Sequence, residues 1–110
     1  IDIPPGGLKS PNPPGGRAVL ELMRRHGGGA VAVTSQEAFA AVDEITRAEG
    51  LFLCPESATT LAGLRKAQAR GWVKAGEEIV LIGTGSGLKS IPTLASPDFP
   101  VISSSAELRA

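Results

Sequence analysis

The stretch that decides the fold class is residues 77–90, EEIVLIGTGSGLKS, where an unbroken apolar run leads into a loop with glycine at alternate positions. A strand without polar alternation is typical of a parallel sheet that is covered on both faces. Open α/β sheets bind their ligands at the carboxyl ends of the strands, where this loop would then lie. The stretch therefore predicts a sheet with a ligand-binding edge.

The glycine spacing of this loop matches neither of the common nucleotide-binding loops. The dinucleotide fingerprint ends on a glycine, where this chain has Leu88 or Ser90 depending on the register. The Walker loop needs glycine directly before lysine, and Leu88 separates Gly87 from Lys89. Two interpretations stay open from spacing alone: the glycines turn the chain, or they admit a ligand. Thr84 favours the ligand, because a hydroxyl just past a strand end offers a neutral hydrogen-bond partner.

Upstream of this stretch, helical and strand-like patterns alternate. Apolar periodicity predicts helices over 17–26, 35–48 and 57–70, and short apolar runs predict strands over 30–33, 51–54 and 77–83. Thr34 and Glu37 have the spacing of a capping box at the start of the second helix, and Gly50 is placed to end it. We therefore expect an α/β fold: a fragment of a three-layer sandwich, with a short, mostly parallel sheet flanked by helices.

The charge balance and the cysteine count narrow the class of protein. Eleven basic and eleven acidic residues cancel in this 110-residue chain, so nothing favours binding to nucleic acid. A single cysteine, Cys54, and a single histidine, His26, exclude an intrachain disulfide and the usual zinc sites. No apolar run approaches the roughly 20 residues that span a bilayer. We expect a cytoplasmic protein without a metal centre, a membrane segment or a nucleic-acid partner.

The start of the chain differs from the rest. Residues 1–16 are dominated by proline and glycine and are typical of an extended arm, whereas residues 17–110 carry the helical and strand-like patterns. The chain begins with Ile1 rather than methionine, and such an arm needs something to pack against. We therefore expect two parts, an arm over 1–16 and an α/β portion over 17–110, cut from a longer parent.

Three segments of this chain resemble one enzyme family. They are TGSGLK at 84–89, FLCPESAT at 52–59 and the proline-rich entry at 8–16. In order and spacing, the chain from about Gly7 to Lys89 is similar to the C-terminal part of threonine synthase and its close pyridoxal-phosphate relatives. The resemblance implies a fold-type-II architecture. It also implies the pyridoxal-phosphate-dependent conversion of O-phosphohomoserine and water to threonine and phosphate.

The same resemblance implies a role for the glycine loop. In the family, the threonine at the position of Thr84 hydrogen-bonds the pyridine nitrogen of the cofactor. A neutral hydroxyl does not hold that nitrogen protonated, so the cofactor is a weaker electron sink, which favours elimination and replacement over transamination. The implied cofactor-binding residues are Gly83, Thr84, Gly85 and Ser86, and Gly87 would also let the backbone come close.

The residue that should anchor the cofactor is missing from this stretch of chain. The family uses a buried lysine in a segment resembling S-F-K-D-R, and no such segment occurs here. None of the lysines has the apolar surroundings that lower an amine pKa: Lys9, Lys66, Lys74 and Lys89. We expect no catalytic residue in this chain, weak cofactor binding and no turnover by the chain alone. Its partners would be the remainder of the parent enzyme, an amino-acid substrate and further copies of itself.

Several residues keep open interpretations. Cys54 and Glu56 depart from family members that have Glu-Pro at this point, and Ser90 stands where many members have aspartate or an aromatic residue. Trp72 is expected to pack the end of the third helix against the last strand. A different class of function also fits the chain: a stand-alone α/β module that binds a small ligand or a partner protein through the same loop.

Overall fold

The computed structural model describes residues 7–93, and these residues form helices joined by extended segments and turns. The elements in chain order are α1 (Gly16–His26), α2 (Ser35–Glu49), α3 (Pro55–Ala69) and a 3-10 helix (Gly87–Thr93). The first six residues of the predicted arm lie outside the described residues, as do residues 94–110 of the predicted α/β portion.

Helix α1 forms as predicted but buries nothing. It ends at Gly27, whose backbone takes the left-handed conformation (φ 70°) and whose amide donates to the carbonyl of Met23. No residue of α1 is buried, and Val19 and Leu22 of its apolar stripe are each 54% exposed. The periodic pattern therefore identifies the helix correctly without identifying a partner for its apolar face.

Helix α2 confirms the predicted capping box. The Thr34 hydroxyl accepts a hydrogen bond from the Glu37 amide at 3.2 Å, and the Glu37 carboxylate accepts one from the Thr34 amide at 2.7 Å. Two amides that the first turn would leave unpaired are thus satisfied. At the other end Gly50 adopts a left-handed conformation (φ 67°) and closes the helix on the carbonyl of Thr46. Both boundaries follow from local sequence.

Helix α3 begins two residues earlier than predicted, because Pro55 is its first residue rather than the end of a strand. Proline suits the first helical position, where its missing amide proton would have had no partner. Cys54 precedes it as the N-cap residue in an extended conformation. The segment 52–54 therefore leads directly into a helix, and this junction places Ser57 in the first turn of α3.

The core of the described residues lies between α2 and α3. Its buried members are small or medium-sized, so the two helices come close together; they are Ala41, Val42, Ala58 and Ala62, with Val33, Ile45 and Leu61 packed against them. A polar clamp supplements this core: Lys66 Nζ donates to the Glu37 carboxylate and to the Ala32 carbonyl, both at 2.7 Å. The clamp ties the last turn of α3 to the beginning of α2.

The predicted sheet is wrong for residues 7–93. These residues contain no strand, and their one β-type pairing is an isolated antiparallel bridge between Leu53 and Ser86. Apolar continuity does not specify which segments pair, and a strand forms only beside a partner in register. Residues 30–33 instead lie along the helix pair, where Val31 and Val33 are half-buried. A three-layer α/β sandwich with a mostly parallel sheet is therefore not what residues 7–93 form.

Trp72 also differs from expectation. It packs against Gly29 rather than against a strand, so closely that a Cβ atom at Gly29 would overlap the indole ring. The Arg70 guanidinium lies 5.1 Å from the centre of the same ring, a cation–π contact.

In the part of the chain that the structure describes, no helix is long and apolar enough to cross a bilayer.

Candidate functional site

The glycine loop is held by one buried side chain, Ser57 in the first turn of α3. Ser57 is 1% exposed. Its hydroxyl oxygen accepts hydrogen bonds from the amides of Thr84 at 3.0 Å and Gly85 at 2.9 Å. Two consecutive loop amides thus converge on one atom, which fixes the loop backbone relative to α3.

A second set of contacts fixes the loop on its other side. The Cys54 amide donates to the Gly85 carbonyl at 3.0 Å, and the Gly87 amide donates to the Phe52 carbonyl at 2.9 Å. These two bonds flank the antiparallel bridge between Leu53 and Ser86. The loop therefore lies against the residues that enter α3, and its position depends on them.

The loop glycines serve close approach rather than an unusual turn. None of Gly83, Gly85 and Gly87 has a positive φ. A Cβ atom at Gly85 would lie 2.9 Å from Cys54 Sγ, and one at Gly87 would lie 2.7 Å from the Phe52 ring. Alanine at either position would push the loop off its support. Gly85 and Gly87 therefore do more than relieve strain in a turn, and what they approach within this chain is the segment 52–54.

Thr84 lies at the exposed rim of this arrangement. Its side chain is exposed, and its Oγ1 is 3.3 Å from Ser57 Oγ. The hydroxyl thus has a buried polar neighbour on one side and open space on the other. Gly83 is also exposed and Gly85 is half-buried, so the two chain neighbours of Thr84 place no side chain beside it. Ser86 makes a hydrogen bond within its own segment, in which its hydroxyl accepts from the Leu88 amide at 3.3 Å.

Cys54 and Glu56 lie beside Ser57 at the start of α3, and Cys54 also contacts the loop through Gly85. Cys54 is 7% exposed, and its Sγ is 3.3 Å from Ser57 Oγ. The Glu56 carboxylate accepts a hydrogen bond from the Gly7 amide at 3.2 Å. The pKa of Glu56 is lowered, chiefly by its own backbone amide; burial opposes this, and the Cys54 thiol and the Gly7 amide add to it. Glu56 is therefore an ionised acceptor at neutral pH.

Sequence reasoning missed Ser57. It was placed at the start of the third helix, and no spacing rule connects it with Thr84, which is 27 positions away. The only signal in the sequence was a small hydroxyl residue in the first turn of a helix, where serine is common for local reasons. The contact arises from tertiary structure alone.

The lysines of the described residues take no part in this site. Lys66 is engaged by Glu37 and Ala32 in the clamp between the helices. The other three are exposed: Lys9, Lys74 and Lys89. Residues 7–93 also hold no group of three or more side chains that could bind a metal ion.

Comparison with known proteins identifies the family to which this chain belongs. The family described as "Pyridoxal-phosphate dependent enzyme" matches residues 2–85, so this chain belongs to it. Within the family, the chain is similar to threonine synthases. It is 41% identical to that of Mycobacterium leprae over 86 residues, 78% of this chain and 24% of that protein. It is also 41% identical to that of Methanocaldococcus jannaschii over 78 residues, 71% of this chain and 19% of that protein.

These comparisons confirm two expectations and show how much of a relative's length the chain spans. The resemblance to threonine synthase is confirmed, and so is pyridoxal phosphate as the cofactor of the full-length enzyme. The chain spans only about a quarter of the length of the Mycobacterium leprae relative.

The loop residues fit the ring of this cofactor. An exposed neutral hydroxyl can meet a pyridine nitrogen, and glycines on both sides of Thr84 leave room for a flat ring.

Proposed function

We propose that this chain is the C-terminal portion of a cytoplasmic threonine synthase, which converts O-phosphohomoserine and water to threonine and phosphate. Residues 17–110 would belong to the body of the enzyme and residues 1–16 would form an arm on its surface. About 40% identity to threonine synthases from a bacterium and an archaeon supports this assignment. The remainder of the enzyme and the amino-acid substrate would be its partners.

The observation that carries the proposal is the exposed Thr84 hydroxyl on a loop fixed by Ser57. When bound, pyridoxal phosphate supplies a ring that withdraws electrons from the amino-acid carbon attached to it. Thr84 would hydrogen-bond the ring nitrogen, and Gly83 and Gly85 would leave the ring edge unobstructed. Ser86 would lie beside this edge with its hydroxyl hydrogen available to donate, since its hydroxyl acts as an acceptor toward Leu88.

The lysine that anchors the cofactor would come from elsewhere in the enzyme. Lys66 is unsuited to this role, since its amine is held by a carboxylate and a carbonyl at 2.7 Å. An anchoring amine must be free to react with the cofactor, whereas the Lys66 amine is engaged by both of these partners. The chain therefore contributes ring recognition and leaves covalent anchoring to another segment.

The test is an assay of the full-length protein, loaded with pyridoxal phosphate, for release of phosphate and threonine from O-phosphohomoserine. We expect turnover by the wild type. Thr84→Val keeps the shape of the side chain but removes its hydroxyl, and should lower kcat/KM at least about tenfold, the usual order for a lost polar contact. Thr84→Ser, the matched control, should retain most activity. The isolated chain should show no turnover.

Two results would contradict the proposal. One is a loaded full-length protein that forms no threonine. The other is a Thr84→Val variant as active as the wild type.

A second candidate is a module that binds a small apolar ligand or a partner protein. A cleft of about 520 Å³ between α2, α3 and the last apolar run favours it. Its apolar lining includes Ile45, Ala48, Leu51, Leu53 and Leu81. Gly83 lines this cleft but Thr84 does not, so the Thr84→Val comparison in the same full-length assay separates the two candidates.

A further inference from the structure

The hydrogen-bonding capacity of Ser57 is almost fully used. A serine hydroxyl offers one hydrogen and accepts two hydrogen bonds. The amides of Thr84 and Gly85 occupy both acceptor positions, at 3.0 and 2.9 Å. Only the hydroxyl hydrogen is left. Ser57 can therefore donate to a further neighbour, but it has no lone pair left to accept from one.

This saturation decides the direction of the bond between the two hydroxyls. Thr84 Oγ1 lies 3.3 Å from Ser57 Oγ, and Cys54 Sγ lies at the same distance from Ser57 Oγ. Oxygen is the stronger acceptor of the two, since a thiol sulfur accepts only weakly. Ser57 therefore donates to Thr84, and Thr84 cannot donate back.

The direction of this hydrogen bond determines what the exposed Thr84 hydroxyl can offer to a ligand. Its own hydroxyl hydrogen has no acceptor in Ser57, so it is available to a group that arrives from the open rim of the loop. A ring nitrogen without a proton accepts this hydrogen. A protonated ring nitrogen would need Thr84 as an acceptor and would leave the threonine hydrogen unpaired, at the cost of an unsatisfied polar group.

We propose that Ser57 is a positioning residue that commits Thr84 to donate its hydrogen bond, and so keeps the pyridine nitrogen of the bound cofactor unprotonated. This inference rests on the proposed contact between Thr84 and the ring. Ser57 does not touch the ring itself; it acts through the direction of one hydroxyl. The neutral state of the ring nitrogen then depends on a residue in α3 as well as on the loop.

The test follows the protonation of the ring nitrogen directly. Cofactor labelled with 15N at the pyridine position is bound to the full-length enzyme, and its 15N chemical shift is recorded against pH. We expect Ser57→Ala to raise the apparent pKa of this nitrogen by about one unit, a tenfold change, because the Thr84 hydroxyl is a weaker donor to the nitrogen when Ser57 no longer donates to it. Ser57→Thr, which keeps the hydroxyl, should restore the wild-type titration, and Cys54→Ala should leave it unchanged.

The outcomes separate this inference from the proposed function. If Thr84→Val moves the titration but Ser57→Ala only lowers stability or cofactor affinity, Ser57 is a structural support and the inference is overturned. If Thr84→Val does not move it either, the contact between Thr84 and the ring is absent and the proposed function fails at that point.

A measurement on the wild type covers the case in which Ser57→Ala does not fold. Neutron diffraction from the loaded enzyme locates the hydroxyl deuterium atoms. We expect the Ser57 deuterium to point at Thr84 Oγ1 and the Thr84 deuterium to point at the ring nitrogen. A Ser57 deuterium directed at Cys54, or a deuterium on the ring nitrogen, would overturn the inference.

Discussion

The helix pair α2–α3 and the apolar run at residues 79–82 both carry apolar side chains, but only the first buries them. Ala58 in the pair is fully buried, whereas Val80 and Ile82 in the run are 82% and 71% exposed. A helix satisfies its own backbone hydrogen bonds and needs a partner for one face only. An extended run needs a neighbour for its backbone and cover for both faces.

The two regions differ in whether the residues that specify their structure lie nearby in the sequence. The pair is specified by local signals, since its caps and its small apolar residues all occur within residues 34–70. The run has no comparable support among the described residues. We therefore expect changes in the pair to act on stability and changes in the run to act on association.

The largest expected effect comes from overfilling the contact between the helices. Ala58→Leu inserts a larger side chain at a fully buried position and should lower the free energy of unfolding by about 1–3 kcal/mol. Ala40→Leu makes the same change on the exposed side of α2 and should change it by less than about 0.5 kcal/mol. Urea unfolding followed by helical circular dichroism measures both. Equal effects of the two substitutions would show that the pair is not the core.

A smaller effect is expected from the clamp at the start of α2. The hydrogen bond from Lys66, then that from the Thr34 amide, lowers the pKa of Glu37 from 4.5 to about 2, while burial opposes the shift. Because the folded pKa is the lower one, the stabilisation is fully present above pH 4.5 and is lost as the pH falls through about 2.

Unfolding measured at a series of pH values checks whether the stabilisation by Glu37 is lost on acidification. The stability difference between the wild type and Glu37→Gln should shrink as the medium becomes more acidic over that range. Asp43→Asn, which removes a mostly exposed carboxylate paired with Arg47, should show a much smaller pH dependence. A difference for Glu37→Gln that stays constant from neutral to strongly acidic pH would refute the role of the clamp.

The smallest effect on stability is expected in the apolar run. Val80→Lys should change the free energy of unfolding by less than about 0.5 kcal/mol, since Val80 is 82% exposed. It should instead weaken self-association of the 110-residue chain, which we expect because the run exposes contiguous apolar side chains. Light scattering measures the mass at rising concentration. Leu20→Lys places the same charge on α1 as the control, and a wild type that stays monomeric at high concentration would refute the prediction.

The helices could be predicted from sequence because their signals are short-range. The capping box at Thr34, the left-handed Gly50 and the apolar periodicity of α2 all act within a few residues. The sheet could not, because pairing depends on distant segments and apolar continuity at 77–83 says nothing about a partner. The start of α3 at Pro55 is a different case, since the preference of proline for the first helical position is a local signal that the predicted range of 57–70 did not use.

The candidate site was only partly accessible to sequence reasoning. The glycine loop and Thr84 stand out because their pattern is local and resembles a known family. Ser57 could not be found, because its role depends on two amides that only the folded chain brings to it. The reason why positions 85 and 87 need glycine could not be predicted either, since the atoms that Gly85 and Gly87 approach belong to Cys54 and Phe52.

The most direct test of the central claim is the crystal structure of the full-length protein with pyridoxal phosphate bound. The distance to measure joins Thr84 Oγ1 and the pyridine nitrogen. We expect about 2.7–3.2 Å, the range of a hydrogen bond. A ring nitrogen that faces a carboxylate, or that lies beyond hydrogen-bonding distance of Thr84, would contradict the account.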